Sequence, residues 1–249
     1  MSKSTWPWPD YSGLFSPSAG VESLYYDTSL LSLEDRRQLA REKTLQGEYV
    51  WLAPGRRLKV FESLQDCAER VRGNQILVSV AGVGSSLTGA AAFAKSLMQA
   101  ADMPVVAVVS HYGVVNLQAE VTRSMLDSQG VDEPAPETLP ADLKALQLLL
   151  MHPEVRASYL VGHSRGARLI ADLTEILDTK ERQRLPEIVT FGCVVGLPDD
   201  TPARQYLGSL DWVGRVSSET DVQHIELPGC GHHMNPMIPG RMDPALILG

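Results

Sequence analysis

Ser164 stands in the pentad Gly162-His163-Ser164-Arg165-Gly166, between an apolar run at 157–162 and an amphipathic stretch that starts at Arg165. A serine hydroxyl is a poor nucleophile at neutral pH, so chemistry at this position needs a histidine to take the proton and an acid to orient that histidine. A bare G-x-S-x-G is a weak signal, and a tight turn between strand and helix is the plain alternative. The setting adds weight. Strand, turn and helix in that order form an elbow that exposes a nucleophile on strained backbone. Gly162 and Gly166 have a physical reason there, because side chains at the flanking positions would collide with the neighbouring strand and helix.

Six histidines are available as the base. His163 lies inside the elbow and reads as structural, His111 ends a strand, His152 ends a helix and His224 falls within a strand. His232 and His233 follow Gly229 and Gly231 in "PGCGHH", where the glycines allow a loop to fold back over the sheet edge. His232 is the preferred base and His233 the alternative. For the acid, Asp211 sits where a short apolar strand meets a loop, leaving room for one further strand before His232. Asp199 and Asp200 remain competitors, while Asp221 would have to complete that last strand within a few residues. An oxyanion would need preorganised amides. Arg165 supplies the amide after the serine, and the loop "VAGVGSSLTG" supplies another from Val83, with Gly84 as second choice. That loop fails as a dinucleotide fingerprint, because Leu87 replaces the third glycine and the next strand ends in Ser110-His111 instead of an acid. It fails as a phosphate loop for lack of GK[ST].

The elements that must hold these residues alternate. Apolar runs at 75–82, 104–110, 157–162 and 187–192 read as doubly buried strands, with helical stretches at 88–102, about 139–152 and 165–179 between them. Weaker strands are expected at 205–210 and 222–227, and a hairpin at 48–63 turning on Pro54-Gly55. Leu139, Leu143, Leu146, Leu149 and Leu150 share one helical face; Leu169, Ile170, Leu173, Ile176 and Leu177 share another. The pattern implies an α/β fold with a mostly parallel central sheet covered by helices on both faces. Residues 1–48 read as an N-terminal arm and a helix capped by Ser32, and residues 49–249 as one domain. The segment 111–138, acidic and rich in Pro and Gly, leaves the ligand-binding edge of the sheet; it reads as a lid or as a solvated insertion, with a short helix at about 116–126.

At 44% hydrophobic and 21% charged residues the 249-residue chain is of globular composition, and its net charge of −8 speaks against nucleic acid and anionic membrane as partners. No apolar run has the length of a signal peptide core or a membrane span, and Cys67, Cys193 and Cys230 are too scattered for a disulfide framework. A cytoplasmic protein without an integral membrane segment is expected.

With the loop "AGVGSS", the elbow "GHSRG", the run "VTFGCVVG" and the terminal "PGCGHH", in the order nucleophile, acid, histidine, the chain resembles the α/β-hydrolase superfamily over about residues 49–249. The esterase, lipase and thioesterase branches are nearest, and "VTFG" followed by "SLDWVGRV" is partly similar to class 3 lipases. The resemblance implies attack by Ser164 on an ester or thioester carbonyl, His232 as base and then acid, Asp211 as its orienting partner, and the amides of Val83 and Arg165 around the oxyanion. It implies an acyl-enzyme, a small-molecule acyl substrate and no cofactor. Two departures stand out: many family members carry a histidine before the oxyanion glycine where this chain has Ala81, and Arg165 either selects an acidic substrate or forms a surface ion pair. The rivals are a noncatalytic binder on the same fold and a metal hydrolase using His224, His232 and His233; adjacent loop histidines point in different directions, which weakens the latter.

Overall fold

Runs of β-branched and aliphatic residues that are apolar on both faces leave a strand no stable place except the interior of a sheet. The computed structural model describes residues 22–41, 47–82, 85–110 and 139–248, and eight strands form one sheet in it, the buried runs inside and the more exposed short ones at its edges. They are β1 (Tyr49–Leu52), β2 (Lys59–Phe61), β3 (Gln75–Val80), β4 (Val105–Val108), β5 (Arg156–His163), β6 (Glu187–Phe191), β7 (Ala203–Gly208) and β8 (Ile225–Leu227). The order across the sheet is β2-β1-β4-β3-β5-β6-β7-β8. From β4 to β8 every neighbouring pair is parallel, while β1 runs antiparallel to β4 and β2 antiparallel to β1. This is the α/β-hydrolase fold expected from the alternation of elements. The strand order reverses between β3 and β5, and the crevice at the C-terminal ends beside such a reversal is where open α/β sheets hold ligands.

Residues 22–25 are helical and Thr28–Leu30 form a 3-10 turn; the helices that follow are α1 (Leu33–Leu39), α2 (Leu64–Val71), α3 (Leu87–Ala101), α4 (Ala141–Met151), α5 (Arg165–Ile176), α6 (Thr179–Arg182), α7 (Trp212–Ser217) and α8 (Ala245–Leu248). Successive β3 residues point to opposite faces, which divides the core. Leu77 joins Phe93 and Leu97 of α3 on one face; Ile76 and Val78 join Leu146 and Leu149 of α4 and Leu169, Ile170 and Leu173 of α5 on the other. Buried Ala90, Ala91, Ala92 and Ala94 let α3 lie close against the sheet. α1 starts with the expected cap, a reciprocal pair between Ser32 and Asp35.

Several expectations need correction. Leu139 precedes the first residue of α4 and is exposed, and Ile176 turns to solvent at the last turn of α5. The strand placed at 205–210 starts at Ala203 and ends at Gly208, and the one at 222–227 shrinks to three residues. The helix expected over 165–179 ends at Ile176, and α6, α7 and α8 are not among the expected elements. The segment 111–138 with its expected lid and helix, residues 1–21 of the arm, and Val83 and Gly84 lie outside the described residues. No helix of the described residues is long and apolar enough to cross a membrane.

Candidate active site

Ser164 joins β5 to α5 with φ 53° and ψ −119°, a conformation that a non-glycine residue holds only when its surroundings impose it. Those surroundings are visible. The Ser164 amide donates to the Phe191 carbonyl at 2.7 Å, which extends the β5–β6 pairing into the turn. A Cβ on Gly162 would lie 2.7 Å from the Ala167 nitrogen, and one on Gly166 would overlap the Val80 carbonyl of β3. The two glycines therefore let β3, β5 and α5 meet closely enough to force the turn. Strain of this kind amounts to about 1–3 kcal/mol.

The Ser164 hydroxyl lies 3.0 Å from His232 Nε2. His232 Nδ1 lies 2.9 Å from both oxygens of the Asp211 carboxyl group. A carboxylate accepts, so Nδ1 carries the ring proton and Nε2 is left as the acceptor for the serine hydroxyl. Asp211 is the N-cap of α7, just past the end of β7, and is 1% exposed. Its Oδ1 also accepts from the Gly214 amide at 2.6 Å, so the short helix orients the acid that orients the ring. Gly192, after β6, has φ 63°, and a Cβ there would sit 3.0 Å from His232 Cε1 and Nδ1. Only a glycine lets the imidazole lie over the end of that strand.

The other residues singled out from the sequence lie elsewhere. Asp199 is exposed, and Asp200 pairs with Arg182 at 3.2 Å. Asp221 is exposed. His233 Nε2 faces the Pro239 carbonyl at 3.2 Å, and His224 is exposed just before β8 with Nδ1 on the Val222 carbonyl. The three histidines of the metal reading do not converge, and no cluster of metal-ligating side chains occurs among the described residues. Arg165 is the first residue of α5, half-buried, and its charge acts on Asp172 two turns along that helix. Gly82, the residue before Val83, lies directly beside the serine, because a Cβ on it would lie 3.1 Å from Ser164 Cβ.

Sequence reasoning overlooked Tyr26. Its hydroxyl accepts from the Gly82 amide at 2.7 Å and lies 2.7 Å from His163 Nδ1. His163 Nε2 in turn lies 3.0 Å from the His232 carbonyl. Burial, with His232 close by, pushes the His163 imidazole down to about 3, so it is neutral at physiological pH. The aromatic content of the arm was the only signal for such a contact, and it did not say where the ring would dock.

No family model matches the chain, and no curated protein matches it. The solved structures that match the chain include two esterases. The thermophilic carboxylesterase EstE1, cloned from a metagenomic library, is 12% identical with a TM-score of 0.39, covering 80% of this chain and 85% of that one. The esterase domain of a Rhodothermus marinus protein is 11% identical with a TM-score of 0.40, covering 82% of this chain and 93% of that one. Likeness at this level carries nothing about the chemistry or substrate of this chain.

Proposed function

We propose that the protein is a serine hydrolase that cleaves a carboxylic ester of a small-molecule acyl substrate. The observation that carries this reading is the unbroken line from the Ser164 hydroxyl through His232 to the buried Asp211 carboxyl. As the Ser164 oxygen attacks the carbonyl carbon, its proton passes to His232 Nε2, and the imidazolium is stabilised by Asp211 across Nδ1. Charge develops on the former carbonyl oxygen, which the amides of Arg165 and Val83 receive; losing one such donor commonly raises the barrier by about 3 kcal/mol. His232 then protonates the departing alcohol, leaving an acyl group on Ser164. A water gives its proton to the same nitrogen, attacks the acyl carbon, and releases the acid with Ser164 restored. Each step uses groups of the chain and water. With Cys67, Cys193 and Cys230 all as free thiols, a reducing compartment such as the cytoplasm suits the protein.

The test is a panel of p-nitrophenyl acyl esters and acyl thioesters of graded chain length, with wild type beside Ser164→Ala. Turnover of at least one ester that falls by at least about 10⁴-fold in the variant, with unchanged circular dichroism, supports the proposal. Preference for thioesters over esters would assign the same machinery to thioester cleavage. Absence of turnover across the panel, with no adduct on Ser164, would leave a ligand-binding protein on a hydrolase fold.

A further inference from the structure

We propose that Tyr26 and His163 are positioning residues for the reaction proposed above, holding Gly82, just after β3, in register with the backbone of His232. The inference rests on that functional reading for its kinetic consequence, but the contact itself is defined by donors and acceptors. The His232 carbonyl can only accept, so His163 Nε2 carries the proton across their 3.0 Å contact. His163 Nδ1 is then an acceptor, and the Tyr26 hydroxyl donates to it at 2.7 Å. The same oxygen accepts the Gly82 amide at 2.7 Å. Every direction in the chain from Gly82 to Tyr26 to His163 to His232 is thereby set.

The pair ties together three parts of the site that are distant in sequence. Gly82 lies against Ser164, His163 is the residue before Ser164, and the His232 backbone carries the base. Tyr26 and His163 are 2% and 1% exposed, so no solvent competes for these bonds. Burial keeps the His163 ring neutral, and a neutral ring is what the Tyr26 hydroxyl requires as its acceptor. The residues just before Tyr26 reinforce the same joint. Glu22 accepts from the Ser86 amide at the start of α3, and the Tyr25 carbonyl accepts from the Met234 amide at 2.8 Å. The Tyr25 ring stands edge-on to the His232 ring, with centroids 5.7 Å apart, and the Ser23 carbonyl accepts from the Asn235 side chain. The Gly82 amide is committed to Tyr26, so Gly82 acts as an anchor and its amide does not serve the oxyanion.

The test compares Tyr26→Phe with Tyr49→Phe, which deletes an equally buried hydroxyl that donates to the Ala145 carbonyl away from the site. A misplacement near 1 Å is worth about 10²-fold in rate. Tyr26→Phe is therefore expected to lower kcat for the best ester by about 10- to 100-fold with KM within about threefold, while Tyr49→Phe lowers the melting temperature and leaves kcat within about twofold. If Tyr26→Phe does not fold, His163→Asn serves, since its oxygen keeps an acceptor for Tyr26 while its shorter NH₂ does not reach the His232 carbonyl from the place of Nε2; the same kcat loss is expected. A kcat within about threefold of wild type in whichever variant folds overturns the proposal. If wild type hydrolyses no ester and takes no fluorophosphonate label, the hydrolase reading fails instead. Positioning is then read from imidazole ¹⁵N resonances: those of His232 must move in the folded site variant and stay in Tyr49→Phe, and unmoved His232 resonances overturn it.

Discussion

Replacing Asp211 by Asn would test the orienting role with almost no change of shape. Asp211 is buried, one oxygen takes the Gly214 amide at 2.6 Å, and both oxygens lie 2.9 Å from His232 Nδ1. In the variant, the Gly214 amide selects the side-chain oxygen of the asparagine and leaves its NH₂ facing the ring. His232 Nδ1 must then accept, which moves the ring proton to Nε2, the atom that should receive the proton of Ser164. The equivalent change in a serine protease triad lowers kcat by about 10⁴ through that wrong tautomer. We expect a loss of about 10³–10⁴-fold in kcat for the best ester, or about 4–5 kcal/mol on the barrier. Melting temperature should change little, since one buried hydrogen-bonded group replaces another. The matched control is Asp200→Asn, which removes a partly exposed pair with Arg182 and should leave kcat within about twofold. Steady-state kinetics on both variants decides the matter. A loss below tenfold in Asp211→Asn, or a crippled Asp200→Asn, would refute the reasoning.

The depressed His163 imidazole makes a second prediction, on stability. Between its ordinary value of 6.5 and about 3 the unfolded chain binds a proton that the folded chain refuses, so stability rises with pH across that window and is lost as pH falls. From pH 6 to pH 4 this group alone should remove about 2–3 kcal/mol, seen as the difference between urea melts of wild type and His163→Gln. Equal pH slopes for the two proteins would contradict it. At the candidate site, Gly192→Ala places a Cβ 3.0 Å from the His232 ring on backbone with φ 63°. It should lower kcat by at least about tenfold by displacing the imidazole, a larger effect on rate than its roughly 1–2 kcal/mol on stability. Unchanged kcat would show that the ring tolerates the displacement.

The strand, turn and helix through 156–176 were legible because an apolar run, two glycines and an amphipathic repeat all pointed the same way. Leu139 and Ile176 show the limit of periodicity. Both match the apolar stripe, yet one lies ahead of its helix and the other past the reach of the sheet, and the stripe does not state where packing ends. α7 was illegible as a helix, since six residues carry too little periodic signal, and the Gly214 amide bound to Asp211 helps define its first turn. Asp211 itself was singled out from its place after a strand, and the contacts of Gly192 and Gly214 with it could not be read from spacing. Tyr26 was the least legible. Its partner His163 lies 137 residues away, and only the folded sheet edge brings the arm there.

The most direct test of the central claim is intact-mass spectrometry after incubation with a fluorophosphonate, wild type beside Ser164→Ala. An activated Ser164 displaces fluoride and keeps the phosphonyl group, so the account predicts a single adduct on wild type, mapped to Ser164, and none on the variant. An unlabelled wild type, or a label that persists in Ser164→Ala, would contradict it.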